Sequence, residues 1–153
     1  MNKSFRPLIL ALCSLLIFLG CSLPRIIILK DPLSPEEHIN LGVTYEKQGD
    51  FDNAIKEYGL AAPQNPRAYL YLGNAYFQKK DWKRAEESYQ KAIQKEPDQA
   101  DGYNNLAWLY YSRKENLDRA EKLAQKAVEL NPAKAEIYQD TLEKIMEIKK
   151  GSH

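Results

Sequence analysis

Residues 69–97 read YLYLGNAYFQKKDWKRAEESYQKAIQKEP, and the fold prediction rests on the pattern in this segment. Large apolar side chains recur at helical spacing in its first half, as in Leu72 and Tyr76. Small residues, Gly73 and Ala85, stand one in each half, where two helices would have to approach closely. The stretch therefore predicts two helices that pack against each other in antiparallel fashion across these two small residues.

The same pattern occurs in three copies along the chain. Each copy places a small residue directly after Leu, then a Tyr three residues later, and an Ala at the start of the second half. Gly73 and Ala107 are 34 residues apart, a period that indicates stacked structural repeats. The matching residues are His38, Leu41, Gly42, Tyr45, Ala54 and Tyr58; Tyr69, Leu72, Gly73, Tyr76, Ala85 and Tyr89; Tyr103, Leu106, Ala107, Tyr110, Ala120 and Ala124.

This repeated pattern resembles the tetratricopeptide repeat (TPR), a helix–turn–helix unit of about 34 residues. The resemblance implies an all-α fold, an α-α superhelix of about three helix pairs with a concave inner face, followed by a C-terminal capping helix over residues 133–149. The repeats are expected at about 35–65, 66–99 and 100–134, within a repeat domain of residues 35–150. The predicted helices are 35–48, 51–62, 66–79, 82–95, 100–113, 117–130 and 133–149.

The N-terminus has the features of a secretory signal. Lys3 and Arg6 precede an apolar run over residues 8–19, and the small residue Gly20 follows it. A transmembrane anchor is the alternative, but the run is shorter than the roughly 20 apolar residues that a spanning helix needs. We therefore predict a signal peptide over residues 1–20.

The four residues 18–21, FLGC, resemble the lipobox of bacterial lipoproteins. This resemblance implies that Cys21 carries a lipid and that the chain is anchored in the bacterial cell envelope; Ser22 in place of Asp implies the outer membrane, facing the periplasm, if the cell is Gram-negative. Ordinary secretion and an uncleaved anchor are the alternatives. Residues 21–34 would form a linker, whose apolar stretch Ile26–Leu29 is expected to be covered by the membrane, by the first helix pair or by a partner.

Composition argues against most catalytic chemistries. The chain has 22 basic and 21 acidic residues, a net charge of +1 without the basic stripe that nucleic-acid binding requires. Two Cys are too few for a four-cysteine metal site, and no Gly-rich phosphate loop is present. His38 occupies a packing position of its repeat, and His153 is terminal. We predict that the protein is not an enzyme and needs no metal, cofactor, nucleic acid or small-molecule substrate.

The resemblance also implies where a partner would bind, because the first helix of each repeat lines the concave groove of the family. Projected onto this chain, seven residues form the predicted peptide-binding groove: Val43, Tyr71, Asn74, Phe77, Asn105, Trp108 and Tyr111. Further positions projected toward it are Ile39, Glu46, Leu70, Asp101, Asn104, Glu136 and Asp140. Aromatic rings and amides of this kind can bind an extended peptide, although Phe77 and Trp108 could instead pack between neighbouring repeats.

One variant of the family clamps a ligand carboxylate with Lys and Arg side chains. Asn74 and Asn105 match its two Asn positions, but the basic positions hold residues such as Leu70, Asp101 and Glu136. We therefore expect no carboxylate clamp and a neutral or basic, partly apolar extended ligand. The favoured function is a non-catalytic adaptor in assembly of an envelope complex; the alternative is an accessory subunit that docks an envelope peptidase or hydrolase.

Overall fold

The computed structural model describes residues 31–151, which form seven α-helices and no strand. The predicted signal peptide, Cys21, the Ile26–Leu29 stretch and His153 lie outside the described residues. No helix within the described part is long and apolar enough to cross a membrane. The helices are α1 (Pro35–Lys47), α2 (Phe51–Ala61), α3 (Ala68–Gln78), α4 (Trp82–Lys95), α5 (Ala100–Arg113), α6 (Leu117–Leu130) and α7 (Ala135–Gly151).

The helices match the seven predicted ones to within two residues at each end. Three boundaries differ by two residues: the starts of α3 and α7, and the end of α7, which runs to Gly151 instead of residue 149. α3 begins at Ala68 instead of residue 66, because the preceding turn is closed by short-range bonds, including one from the Arg67 backbone N–H to Asn65 Oδ1 at 3.1 Å. α7 begins at Ala135 instead of residue 133, because a 3₁₀ turn over Pro132–Lys134 precedes it.

The turn between the two helices of a repeat is built in the same way in the first two copies. Gly49 and Lys80 adopt left-handed backbone conformations, with φ of 78° and 59°. Asp50 and Asp81 follow them and cap the next helix by accepting hydrogen bonds from backbone N–H groups. In the third copy, two residues of this turn, Lys114 and Asn116, are left-handed.

In each of the first two helix pairs, a tyrosine ring packs against a glycine of the other helix. A Cβ atom on Gly42 would lie 2.4 Å from the ring of Tyr58, and one on Gly73 would lie 2.3 Å from the ring of Tyr89. Both tyrosine rings are buried. Each glycine on a first helix therefore makes the space that a tyrosine of the second helix fills.

The first helices of the repeats lie closer together than the second helices. Cα atoms of α1 and α3, of α3 and α5, and of α5 and α7 come within 8 Å of each other, whereas among the described helices the backbones of α2 and α4, and of α4 and α6, stay farther apart. An array whose layers differ in this way is curved, with the closer-packed layer on the inside. The face formed by α1, α3, α5 and α7 is called the inner face below.

The last helix closes the array. Tyr138 and Ile145 of α7 are almost fully buried against the preceding repeat. The opposite side of α7 is exposed and carries Ile137, with 61% of its surface accessible, among charged residues. A terminal helix with one polar face is what a stacked array needs at its end, so the predicted capping role of this helix is consistent with its burial pattern.

Candidate functional site

Two clefts on the inner face share one pair of asparagine residues, Asn74 of α3 and Asn105 of α5. We call them the Trp108 cleft and the Tyr71 cleft. The Trp108 cleft is lined by Glu46, Asn74, Phe77, Gln78, Tyr89, Asn105 and Trp108. The Tyr71 cleft is lined by Arg67, Leu70, Tyr71, Asn74, Gln99, Asp101 and Asn105.

The asparagine pair is held in a fixed orientation. Asn74 Oδ1 accepts a hydrogen bond of 2.9 Å from the Tyr89 hydroxyl and one of 3.1 Å from Asn105 Nδ2. Burial raises the pKa of Tyr89, with a further contribution from the nearby charge of Glu46, so the hydroxyl stays protonated and donates. Both lone pairs of Asn74 Oδ1 are thus engaged, and the amide nitrogen of Asn74 and the amide oxygen of Asn105 have no partner among the described residues.

Aromatic rings form much of the Trp108 cleft. Phe77 and Trp108 are both half-buried. The Phe77 ring meets the Trp82 ring edge-on at 5.3 Å, and the Trp108 ring lies 5.0 Å from the Tyr111 ring. Each ring therefore packs against the array and also contributes surface to the cleft, so packing and ligand contact are compatible roles for these residues.

Glu46 adds a carboxylate to the Trp108 cleft. Its Oε2 accepts a hydrogen bond of 2.7 Å from the Tyr58 hydroxyl. No Lys, Arg or His of the described residues lies within ion-pair distance of it. Burial raises the pKa of Tyr58, and the bond to Glu46 raises it further. Among the described residues, the Glu46 carboxylate therefore has a hydroxyl donor but no side-chain cation as a partner.

The Tyr71 cleft contains charges of both signs. The Tyr71 ring stacks on the buried Tyr58 ring at 5.2 Å. Asp101 accepts a hydrogen bond of 2.8 Å from the Tyr138 hydroxyl and has Lys134 Nζ at 3.6 Å. Arg67 is exposed and is the residue directly before α3. Sequence reasoning missed Arg67, although its position four residues before the predicted groove residue Tyr71 puts both on one face of a helical turn.

Five of the seven predicted groove residues line these two clefts: Tyr71, Asn74, Phe77, Asn105 and Trp108. The other two lie elsewhere. Val43 is half-buried against the core of the first repeat, and Tyr111 packs on the core and on the Trp108 ring. Among the further positions projected toward the groove, Ile39 is instead buried, with 7% of its surface accessible, so it contributes to the core and not to a binding surface.

The remaining candidate polar groups are engaged in the fold. His38 is buried, and its Nδ1 lies 2.8 Å from Oε2 of the buried Glu57. Glu86 accepts a hydrogen bond from the Tyr110 hydroxyl at 2.5 Å, and Glu121 pairs with Lys149 at 2.5 Å. Within residues 31–151, no cluster of three His, Cys, Asp or Glu side chains could hold a metal ion.

Family comparisons agree with this architecture. A family model described as "TPR repeat" matches residues 73–113, and one described as "Tetratricopeptide repeat" matches residues 38–62 and 100–134. Together the matched stretches extend over more than half of the 153 residues. None of the curated proteins matches the chain.

Solved structures of similar fold are TPR domains. The first TPR of Spaghetti (RPAP3) bound to the HSP90 peptide SRMEEVD is 25% identical, with a TM-score of 0.70 over 80% of this chain and 98% of that one. The first TPR domain of human RPAP3 is 26% identical, with a TM-score of 0.70 over 80% and 100%. The Sgt2 TPR domain from Aspergillus fumigatus is 16% identical, with a TM-score of 0.71 over 77% and 80%.

Repeated helix pairs with glycine–tyrosine packing, an inner face lined by first helices, and matches to two repeat models lead to the same conclusion. The chain belongs to the tetratricopeptide repeat family.

Proposed function

We propose that this protein is a non-catalytic interaction module whose inner face binds an extended segment of a partner protein. The observation that carries the proposal is the asparagine pair between the two clefts. Asn74 offers amide N–H groups and Asn105 offers an amide oxygen, and a peptide backbone needs both a donor and an acceptor. The rings of Tyr71, Phe77 and Trp108 on either side supply apolar contact area.

The comparisons support a binding role of this general kind. The similar first TPR of Spaghetti is bound to a peptide, SRMEEVD, which is rich in acidic residues. The clefts of the present chain contain Glu46 and Asp101 and a single side-chain cation, Arg67, among their lining residues. An acidic ligand would meet repulsion here, so the proposed ligand is neutral or basic and partly apolar.

Cross-linking followed by affinity purification from membranes tests the binding face. We expect the wild-type protein to recover at least one partner that the Tyr71→Ala, Trp108→Ala double variant does not. The matched control is Leu60→Ala, Met146→Ala, which removes two exposed apolar side chains that line neither cleft. Recovery of every partner by the double variant at the wild-type level would contradict binding on the inner face.

The proposal includes a lipid anchor at Cys21 that holds the module in the bacterial cell envelope, at the outer membrane and facing the periplasm if the cell is Gram-negative. Its support is the resemblance of residues 18–21 to a lipobox and the apolar run before them. Several acyl chains on one residue give stable membrane attachment, whereas one chain does not. The module would then organise or assemble an envelope complex beside the membrane.

Metabolic labelling with radioactive palmitate tests the anchor, and the chain supplies its own control. We expect label on the wild type and on Cys13→Ala, and none on Cys21→Ala, because Cys13 lies within the predicted signal peptide. Absence of label from the wild type, or equal label on Cys21→Ala, would overturn this part of the proposal. Separation of the two membranes of a Gram-negative host then reports which one carries the protein.

A further inference from the structure

We infer that the Trp108 cleft holds a basic side chain, Lys or Arg, of the bound segment, with Glu46 as its counter-charge. The inference rests on the proposed peptide-binding function and adds what that part of the inner face selects. It concerns the sign of the ligand's charge at one position, which the family membership does not determine.

The carboxylate of Glu46 differs from the other acidic groups around the clefts. Asp101 of the Tyr71 cleft has Lys134 Nζ at 3.6 Å, and Glu86 of α4, which lines neither cleft, has Arg119 Nη1 at 3.8 Å. Glu46 has a hydroxyl donor, Tyr58, but no side-chain cation within ion-pair distance among the described residues. A carboxylate that is half-buried and has no cation partner favours a cationic ligand.

The surrounding rings suit the same ligand. A Lys or Arg side chain can lay its apolar stem along Phe77 and Trp108 while its charged end reaches the carboxylate. Aromatic faces also attract cations directly. The Trp108 ring already has one such contact, since Lys144 Nζ lies 5.4 Å from its centre. Lys144 is itself paired with Asp140 at 2.5 Å, so its charge is matched outside the cleft.

Other side chains fit the cleft less well. An apolar side chain would displace water from Glu46 without giving the carboxylate a partner, and desolvating an uncompensated charge is costly. An acidic side chain would add repulsion between like charges to this cost. A basic side chain is the class of group that satisfies the rings and the carboxylate together.

Selection from displayed random heptapeptides tests the inference, with the full chain purified in detergent as the target. We expect the peptides enriched on the wild type to share Lys or Arg at one aligned position. A synthetic copy of an enriched peptide with norleucine at that position should bind the wild type about tenfold or more weakly. Glu46→Gln should weaken the parent peptide by a similar factor and should not weaken the norleucine peptide further.

Two features keep this test free of folding effects. Gln at position 46 retains an oxygen that can accept the hydrogen bond from Tyr58, and circular dichroism of each variant checks the helical fold. The matched control is Glu129→Gln, which removes the same charge from an exposed residue of α6 that pairs with Lys126. It should bind the parent peptide as the wild type does.

The outcomes separate the inference from the proposed function. The inference would be overturned by enriched peptides whose binding requires Trp108 but that share no Lys or Arg position. It would also be overturned by peptides that bind Glu46→Gln as tightly as the wild type. Either result would leave the inner face as the binding site. Peptides that bind Trp108→Ala as tightly as the wild type would overturn the inner-face proposal itself. Failure to enrich any peptide would count against both.

Discussion

Tyr89 fills the space left by the missing side chain of Gly73 and, through its hydroxyl group, holds Asn74, the next residue of the same helix. One side chain of α4, a second helix of a repeat, therefore takes part in both the core and the inner face. The core of the second repeat and the orientation of the asparagine pair depend on the same tyrosine, and this dependence leads to testable expectations.

Replacing Gly73 by Ala should destabilise the array. The new Cβ atom would lie 2.3 Å from the Tyr89 ring, so the ring or the helix must move. Overpacking of this kind typically costs about 1–3 kcal/mol of unfolding free energy. Urea denaturation followed by circular dichroism measures the change.

Gly59→Ala is the matched control, because Gly59 lies within α2 with no neighbouring atom within 4 Å of an added Cβ. We expect this variant to be more stable than the wild type by about 0.5–1 kcal/mol, because alanine stabilises the interior of a helix relative to glycine. Equal stability of Gly73→Ala and the wild type would show that the close approach is not required.

Tyr89→Phe should weaken ligand binding more than it weakens the fold. The ring still fills the space beside Gly73, but Asn74 Oδ1 loses one of its two donors and can reorient. The expected loss of unfolding free energy is about 0.5–1.5 kcal/mol, the usual contribution of one hydrogen bond. Isothermal titration with a selected peptide measures the binding.

Tyr103→Phe serves as the comparison, because the Tyr103 hydroxyl donates to the backbone oxygen of Pro97 and lines neither cleft. It should bind peptide like the wild type. If Tyr89→Phe and Tyr103→Phe bound equally well, the Tyr89 hydroxyl would have no part in presenting the asparagine pair.

The buried pair of His38 and Glu57 should show strong non-additivity. His38→Leu leaves the buried Glu57 side chain without this hydrogen-bond partner, and loss of a partner for a buried polar group costs about 1–3 kcal/mol. The double variant His38→Leu, Glu57→Leu removes that carboxylate as well and should be more stable than His38→Leu alone. Denaturation of the single and double variants provides the cycle.

An exposed pair gives the scale for this comparison. Lys126 and Glu129 lie 3.4 Å apart on the surface of α6, so Lys126→Met should change stability by less than about 1 kcal/mol. A double variant of the buried pair whose loss equals the sum of the two single losses would mean that the two side chains do not act together.

Alkaline pH should destabilise the fold through its buried tyrosines. Burial, followed by a hydrogen bond to Glu86, raises the pKa of Tyr110 from 10.0 to about 12, and burial with a bond to Asp101 does the same for Tyr138. Protons are therefore held more tightly in the folded state. The stabilisation that these two hydroxyl groups contribute is fully present below pH 10. It is lost as the pH rises toward about 12, because the tyrosines of the unfolded chain ionise at lower pH than those of the folded chain.

Unfolding free energies measured from pH 8 to 12 test this expectation, with Tyr138→Phe as the informative variant. Its stability should fall less steeply above pH 10 than that of the wild type. Tyr103→Phe, for which no buried hydroxyl is lost, should keep the wild-type slope. Parallel curves for Tyr138→Phe and the wild type would exclude Tyr138 as a source of the alkaline loss.

The helices could be predicted from sequence because the signals that start and end them are local. The capping box at Ser34 is an example: Ser34 Oγ accepts from the Glu37 backbone at 3.2 Å, and the Glu37 carboxylate accepts from the Ser34 backbone at 2.7 Å. The second helix of the first repeat was likewise predicted to end at residue 62, and α2 ends at Ala61.

The contacts within the site could not be predicted in the same way. Asn74 and Asn105 lie 31 residues apart, and their bond depends on how α5 is placed against α3, which spacing along the chain does not specify. His38 was predicted as a packing residue, but its partner Glu57 lies on a different helix. Pairings between helices follow from their relative rotation and height, which only the packed structure supplies.

The Tyr89 hydroxyl group reaches the inner face from a second helix, and this matters when repeats are exchanged between proteins. Asn74 is held by Tyr89 of its own repeat and by Asn105 of the next one, so a recognition surface is shared across a repeat boundary. A hybrid that transplanted a single repeat into another array would carry half of this arrangement. The smallest portable unit of specificity is therefore a pair of adjacent repeats.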